Sequence, residues 1–392
     1  MSRTLVALAC VSAACGGETS TTDAPPTDDF DRSALVAHLA RNVLEPMQVA
    51  FAADVAGLPA AIAAHCDALD AGQGGATLPA AQAALAKALD TWELPEAVLV
   101  GPAAADMHAL RGNIYGWPNL SPCELDRDVT SRWADPASYD VTTEFVSTRS
   151  LSAIEYLMYP QNNNHNCFGA PPGWDALAAG PDLARARCRL AQAIATDVVA
   201  QSVTLRTAWS TSGGGYVDEL ATAGAGSSIK SAQAGLNLIS DGMFYVYSMV
   251  KDMKLGEAAG IALNVCDAVQ MPCEREVELR FADRGTFAIR ANLAALRRVF
   301  TGEGGTQPGP GFDDFLVGVG HPEVAARMTA SLDAAIAKAN ALPDSFLTAL
   351  SANYADVVAL HAALKVFSDD MKSQFLTVLA LDIPDDVATD ND

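Results

Sequence analysis

The chain has 392 residues, 50% of them hydrophobic and 7% aromatic, and its 25 Lys and Arg stand against 47 Asp and Glu for a net charge of −22. Such a charge repels nucleic-acid phosphates and anionic lipid headgroups, which excludes nucleic acid as a partner and favours cations. The length supports two cores, and an Ala- and Leu-rich text with few period-two stretches predicts an all-α protein.

The first fifteen residues, MSRTLVALACVSAAC, carry Arg3 and then an apolar stretch from Leu5 to Ala14. That stretch is too short to span a bilayer and suits a signal peptide. Ala13 and Ala14 precede Cys15, and a Gly/Ser/Thr/Pro/Asp tether follows over residues 16–30. This looks like a bacterial lipoprotein leader ending at a lipidated Cys15, with Cys10 a weaker competitor and plain secretion after Ala14 the alternative. The expected location is the cell envelope, facing the periplasm or the exterior. Gly16 in place of Asp favours the outer membrane. No later apolar run is expected to span a membrane, so membrane contact is expected through the lipid anchor only.

An amphipathic helical segment runs from Asp31 to Cys66, with Asp31 as N-cap and kinks at Pro46 and Pro59. Helices are predicted at about 79–92, 143–159, 182–210, 227–253, 276–301, 322–341 and 344–380. Leu236, Ile239, Met243, Val246, Val250 and Met253 form one predicted core stripe. Val357, Leu360, Leu364, Phe367, Met371, Phe375 and Val378 form another. The loop QNNNHNCFGAPPGW suggests a boundary between two packed helical bundles, 31–170 and 171–385. Six cysteines lie beyond the leader, an even number that suggests disulfides. Cys266 with Cys273, across a short loop, is the first expected pair, and Cys123 with Cys167 the second. No cysteine or histidine has zinc-site spacing.

Familiar catalytic motifs are missing: there is no HExxH, GxSxG or P-loop. The stretch SLSAIEYLMYP, residues 150–160, is more informative. It resembles the GxHxxE helix of imelysin-family proteins, with Ser150 for Gly, Ser152 for His, and Glu155 kept. NVLEPMQVAF, TWELPEAVLVGP, IYGWPN, MVKDMKLGEAAGI and VELRFADRGTFAIRANLAALRRVFTG are similar to other family segments, in the family's order.

That resemblance implies a two-domain helical envelope protein, in a family classed as metallopeptidases and linked to iron uptake. It also implies iron or another divalent metal as ligand. In the family motif an imidazole and a carboxylate share one helical face and present two ligands to a cation. Here the hydroxyl of Ser152 stands where the imidazole belongs. Glu155 is therefore either a residual ligand or a buried structural acid. If a site survives, further oxygens are expected from Glu93, Glu96, Asp106 or Glu45 and a substitute imidazole from His108; the alternative for each is an ordinary surface residue. The leading expectation is a non-enzymatic lipoprotein binding a metal, an iron-related ligand or an envelope partner between its bundles. A metallopeptidase and a purely structural lipoprotein are the alternatives.

Overall fold

The Asp31 carboxylate accepts the Ala34 N–H at 2.9 Å and starts the helical array. A computed structural model describes residues 28–384 apart from 161, 225 and 267–270. The leader, Cys10, Cys15 and nearly all of the tether lie outside the described residues. Among the described residues every regular element is helical, so the fold is all-α.

The opening segment runs through Arg32–His38, a π-helical turn at Leu39–Leu44, then Glu45–Val55 and Leu58–Asp70. Pro46 and Pro59 each sit in the first turn of a helix, where a missing N–H costs nothing. Contrary to expectation, the run Arg32–Asp70 is long and apolar enough to cross a membrane by length and composition. Its Met47, Phe51, Val55, Leu58 and Ile62 are buried in the protein core.

The helix Gly74–Glu96, which carries Trp92, packs against Glu45–Val55, Leu58–Asp70 and Leu151–Met158, and also against Gly285–Thr301 of the second half. The long helix Asp182–Trp209 follows the loop taken as a boundary. It packs on Glu45–Val55, Leu58–Asp70 and Leu151–Met158, all of the first half. The Cys66–Cys188 disulfide ties it there. Gly285–Thr301 then packs on Pro322–Ala341 and Val246–Glu257, and Tyr354–Asp370 covers those two. The other disulfides join Cys123 to Cys167 and Cys266 to Cys273.

Three departures from the expected helices shape the site. The helix expected from 143 begins at Leu151, because Ser150 is extended and caps it, its hydroxyl accepting the Ala153 N–H. The helix expected from 276 begins at Gly285, because Leu279 and Asp283 adopt positive φ of 51° and 53°. Third, Val246–Glu257 is π-helical. Its wider turn slips the register, so Lys251, Lys254 and Leu255 turn inward while Met253 is only half-buried.

The Cys66–Cys188 bridge spans 122 residues of sequence. Chain entropy for a loop of that size predicts that Cys66→Ala with Cys188→Ala costs about 3–5 kcal/mol. Denaturant unfolding of the double variant measures this, and an unchanged midpoint would count against it.

Candidate functional site

Ser152 and Glu155 lie one turn apart on Leu151–Met158, both buried. They do not bond each other. The Ser152 hydroxyl accepts the Trp117 N–H at 3.2 Å. Oε1 of Glu155 accepts the N–H groups of Phe281 and Ala282, both at 2.8 Å. Burial pushes the Glu155 carboxyl up to about 7, against the pull of those two N–H groups and of Arg280. The adjoining cavity measures about 80 Å³, and Arg275, Glu276 and Arg280 line it with Ser152 and Glu155. A hydroxyl, two half-committed carboxylates and two guanidiniums make a poor seat for zinc or ferrous iron.

A second constellation lies deeper. Glu93 and Glu96, three apart on one face of Gly74–Glu96, meet Glu278 from the irregular segment before Gly285. All three are fully buried, and one ligand oxygen from each lies within 4.8 Å of the others. The Lys254 ammonium donates to Glu93 Oε2 at 2.8 Å and to Asn292 Oδ1 at 2.7 Å, and pairs with Glu278 Oε1 at 2.8 Å. Arg111 donates to Glu96 Oε1 through Nε at 3.1 Å and through Nη2, and to the Trp117 carbonyl at 2.6 Å. The Tyr115 hydroxyl donates to Glu278 Oε1 at 2.7 Å. Each carboxylate thus commits one oxygen to an internal donor. The other oxygens, Glu93 Oε1, Glu96 Oε2 and Glu278 Oε2, have no hydrogen-bond partner among the described residues, nor has the buried Tyr245 hydroxyl.

Three carboxylates against Lys254 and Arg111 leave one negative charge uncompensated. Burial, reinforced by Glu278, pushes the Glu93 carboxyl up to about 8 despite Lys254. Burial also raises Glu278. Burial disfavours the Lys254 ammonium, but Glu278 and Glu93 more than offset it and hold its pKa well above the ordinary lysine value. A proton on Glu93 closes the charge of the cluster.

The family model for imelysin, peptidase family M75, matches residues 46–369. The chain belongs to the imelysin family. It is similar in fold to an imelysin-like protein from Psychrobacter arcticum 273-4, with a TM-score of 0.59 and 16% identity over 90% of this chain and 98% of that one. It is also similar to a protein assigned as an iron-regulated protein A precursor from Parabacteroides distasonis ATCC 8503. There the TM-score is 0.66, with 18% identity over 90% of this chain and 97% of the other. No curated protein matches.

In this imelysin-family chain the residues singled out from sequence fall in three places. Glu93 and Glu96 enter the buried acid cluster. Glu155 faces the backbone of Phe281 and Ala282 instead. Asp106 and His108 are exposed, on a left-handed turn with φ of 51° and 60°. Glu45 is half-buried, and its charged neighbours are Asp218, Arg41 and Arg206. Glu278, Lys254, Arg111 and Asn292 were not singled out from sequence. Two bracketing signals existed: Glu278 lies between the apolar Val277 and Leu279, and Lys254 between the apolar Met253 and Leu255.

A carboxyl whose folded pKa is raised stabilises the fold below its unfolded pKa and loses that contribution as pH rises through the folded value. For Glu93 the loss falls between about pH 4.5 and 8. Glu93→Gln should flatten that decline by on the order of a few kcal/mol between pH 5 and 8. Chemical unfolding of parent and variant at both pH values tests it, and parallel pH profiles would contradict it.

Proposed function

We propose that this imelysin-family protein is a non-enzymatic binding protein of the cell envelope, anchored through lipidated Cys15. Its ligand is a divalent cation, iron foremost, held by Glu93, Glu96 and Glu278. The observation that carries this reading is the three buried carboxylates, each with an oxygen lacking a partner among the described residues, and with one ligand oxygen of each within 4.8 Å of the others. Buried acceptors left unpartnered are costly, and a cation supplies what they lack. An all-oxygen set suits a hard cation better than a thiolate- or imidazole-seeking one. The cation would take over the charge compensation now given by the Glu93 proton and shared by Lys254. The assignment of the Parabacteroides neighbour as iron-regulated supports iron as the metal.

The metallopeptidase reading needs an activated water and a base beside the metal. The motif offers a hydroxyl already engaged with Trp117 and a carboxylate engaged with two N–H groups. These commitments favour binding over cleavage.

Titration of the full chain with ferrous iron, manganese, calcium and zinc tests the reading. About one equivalent of ferrous iron or manganese should bind, releasing protons near pH 7. Glu278→Gln should weaken binding at least tenfold, or about 1.4 kcal/mol. Ser152→His should bring no gain. A gain with Ser152→His and no loss with Glu278→Gln would move the site to the motif helix. No binding of any metal would favour the structural lipoprotein.

A further inference from the structure

Among the described residues three arginines are buried, Arg111, Arg149 and Arg187, at 8%, 7% and 5% exposure. Arg111 meets Glu96, and Arg149 meets Asp197 at 2.8 Å. Arg187 has no salt-bridge partner among the described residues. Its Nη1 donates to the Asn162 carbonyl at 2.9 Å, its Nε has no partner, and its guanidinium lies 5.4 Å from the Trp174 ring centre. The carboxylate that acts on it from a distance, Asp126, is already engaged. Oδ1 of Asp126 accepts from the Tyr156 hydroxyl at 2.7 Å, and Oδ2 accepts from the Asn166 N–H at 2.6 Å. A guanidinium cannot shed its charge, and a buried charge whose nearby carboxylate is shared with two other donors is poorly compensated.

Arg187 borders a cavity of about 280 Å³ at the end of the motif helix. Tyr156, Tyr159, Asn164, His165 and Phe281 also line it. This wall offers amide and imidazole groups, and Nδ1 of His165 is buried without a hydrogen-bond partner among the described residues. We infer that this cavity is a binding site for a small hydrophilic oxyanion, a carboxylate or phosphate group seated against Arg187. A guanidinium flanked by neutral donors matches the planar or tetrahedral oxygens of such groups and forms short, charge-assisted bonds with them. The site uses none of the residues of the acid cluster and stands independently of the proposed cation.

Calorimetric titration of the full chain with inorganic phosphate and with succinate, in an anion-poor buffer, tests the assignment, with neutral succinamide as control. One or both anions should bind and raise the melting temperature, while succinamide does neither. Binding of succinate alone assigns a carboxylate ligand, and binding of phosphate alone assigns a phosphate. Arg187→Gln should weaken binding at least tenfold. Asn164→Trp, at an exposed position, should block the cavity and leave the core intact, and it decides the matter should Arg187→Gln fail to fold. Binding of neither anion, or parental binding in the variants that fold, overturns the inference.

Discussion

The interaction on which the rest of the structure leans is the buried ammonium of Lys254. It holds Glu93 of the Gly74–Glu96 helix, Glu278 of the irregular segment and Asn292 of the Gly285–Thr301 helix. Asn292 in turn donates to the Glu93 carbonyl at 2.7 Å and to its carboxylate at 3.0 Å. Four chain segments therefore meet on one charge. Apolar ridges alone tolerate sliding. A buried ion network does not, because any other register strands a charge away from water. Its contribution lies less in net stability than in fixing how the second-half helices dock on the helix that carries Trp92.

The acid cluster and the motif helix are one piece of machinery joined by two short links. Glu278 lies three residues before Phe281, whose N–H binds Glu155. The charge of Glu278 also acts on Glu155 and raises its proton affinity. On the other side, Arg111 neutralises Glu96 and donates to the Trp117 carbonyl, while the Trp117 N–H binds Ser152. A change of charge in the cluster thus meets the motif helix through backbone atoms and through the field.

Much of the helical order was legible because apolar spacing reports burial wherever the helix is α. Leu236 through Val250 and Val357 through Phe375 are buried as their spacing implies. The reading failed at the far ends of these stripes, at Met253 and Val378, where a π turn has shifted the register. The π turn at Val246–Glu257 moved Lys254 into the core, and the one at Met371–Phe375 put Leu376 and Leu379 inside while Val378 stayed half-buried. A 3.6-residue period cannot announce a wider turn. Glu93 and Glu96 were visible as acids beside a tryptophan. Their partners were not, since Lys254, Glu278 and Arg111 come from segments whose local text gives no hint of what they face.

Ser152 stands where an imidazole would be expected, yet the position is not idle. Its hydroxyl fixes the Trp117 N–H, and Trp117 in turn offers its carbonyl to Arg111, which neutralises Glu96. Position 152 therefore supports the cluster two contacts away without touching a metal. Glu155 likewise serves as the acceptor that ends the irregular segment, anchoring Phe281 and Ala282 and so setting where Glu278 can reach. On this account the Leu151–Met158 helix works as a brace. The unpartnered oxygens, and with them the proposed cation site, sit on Glu93, Glu96 and Glu278 behind it.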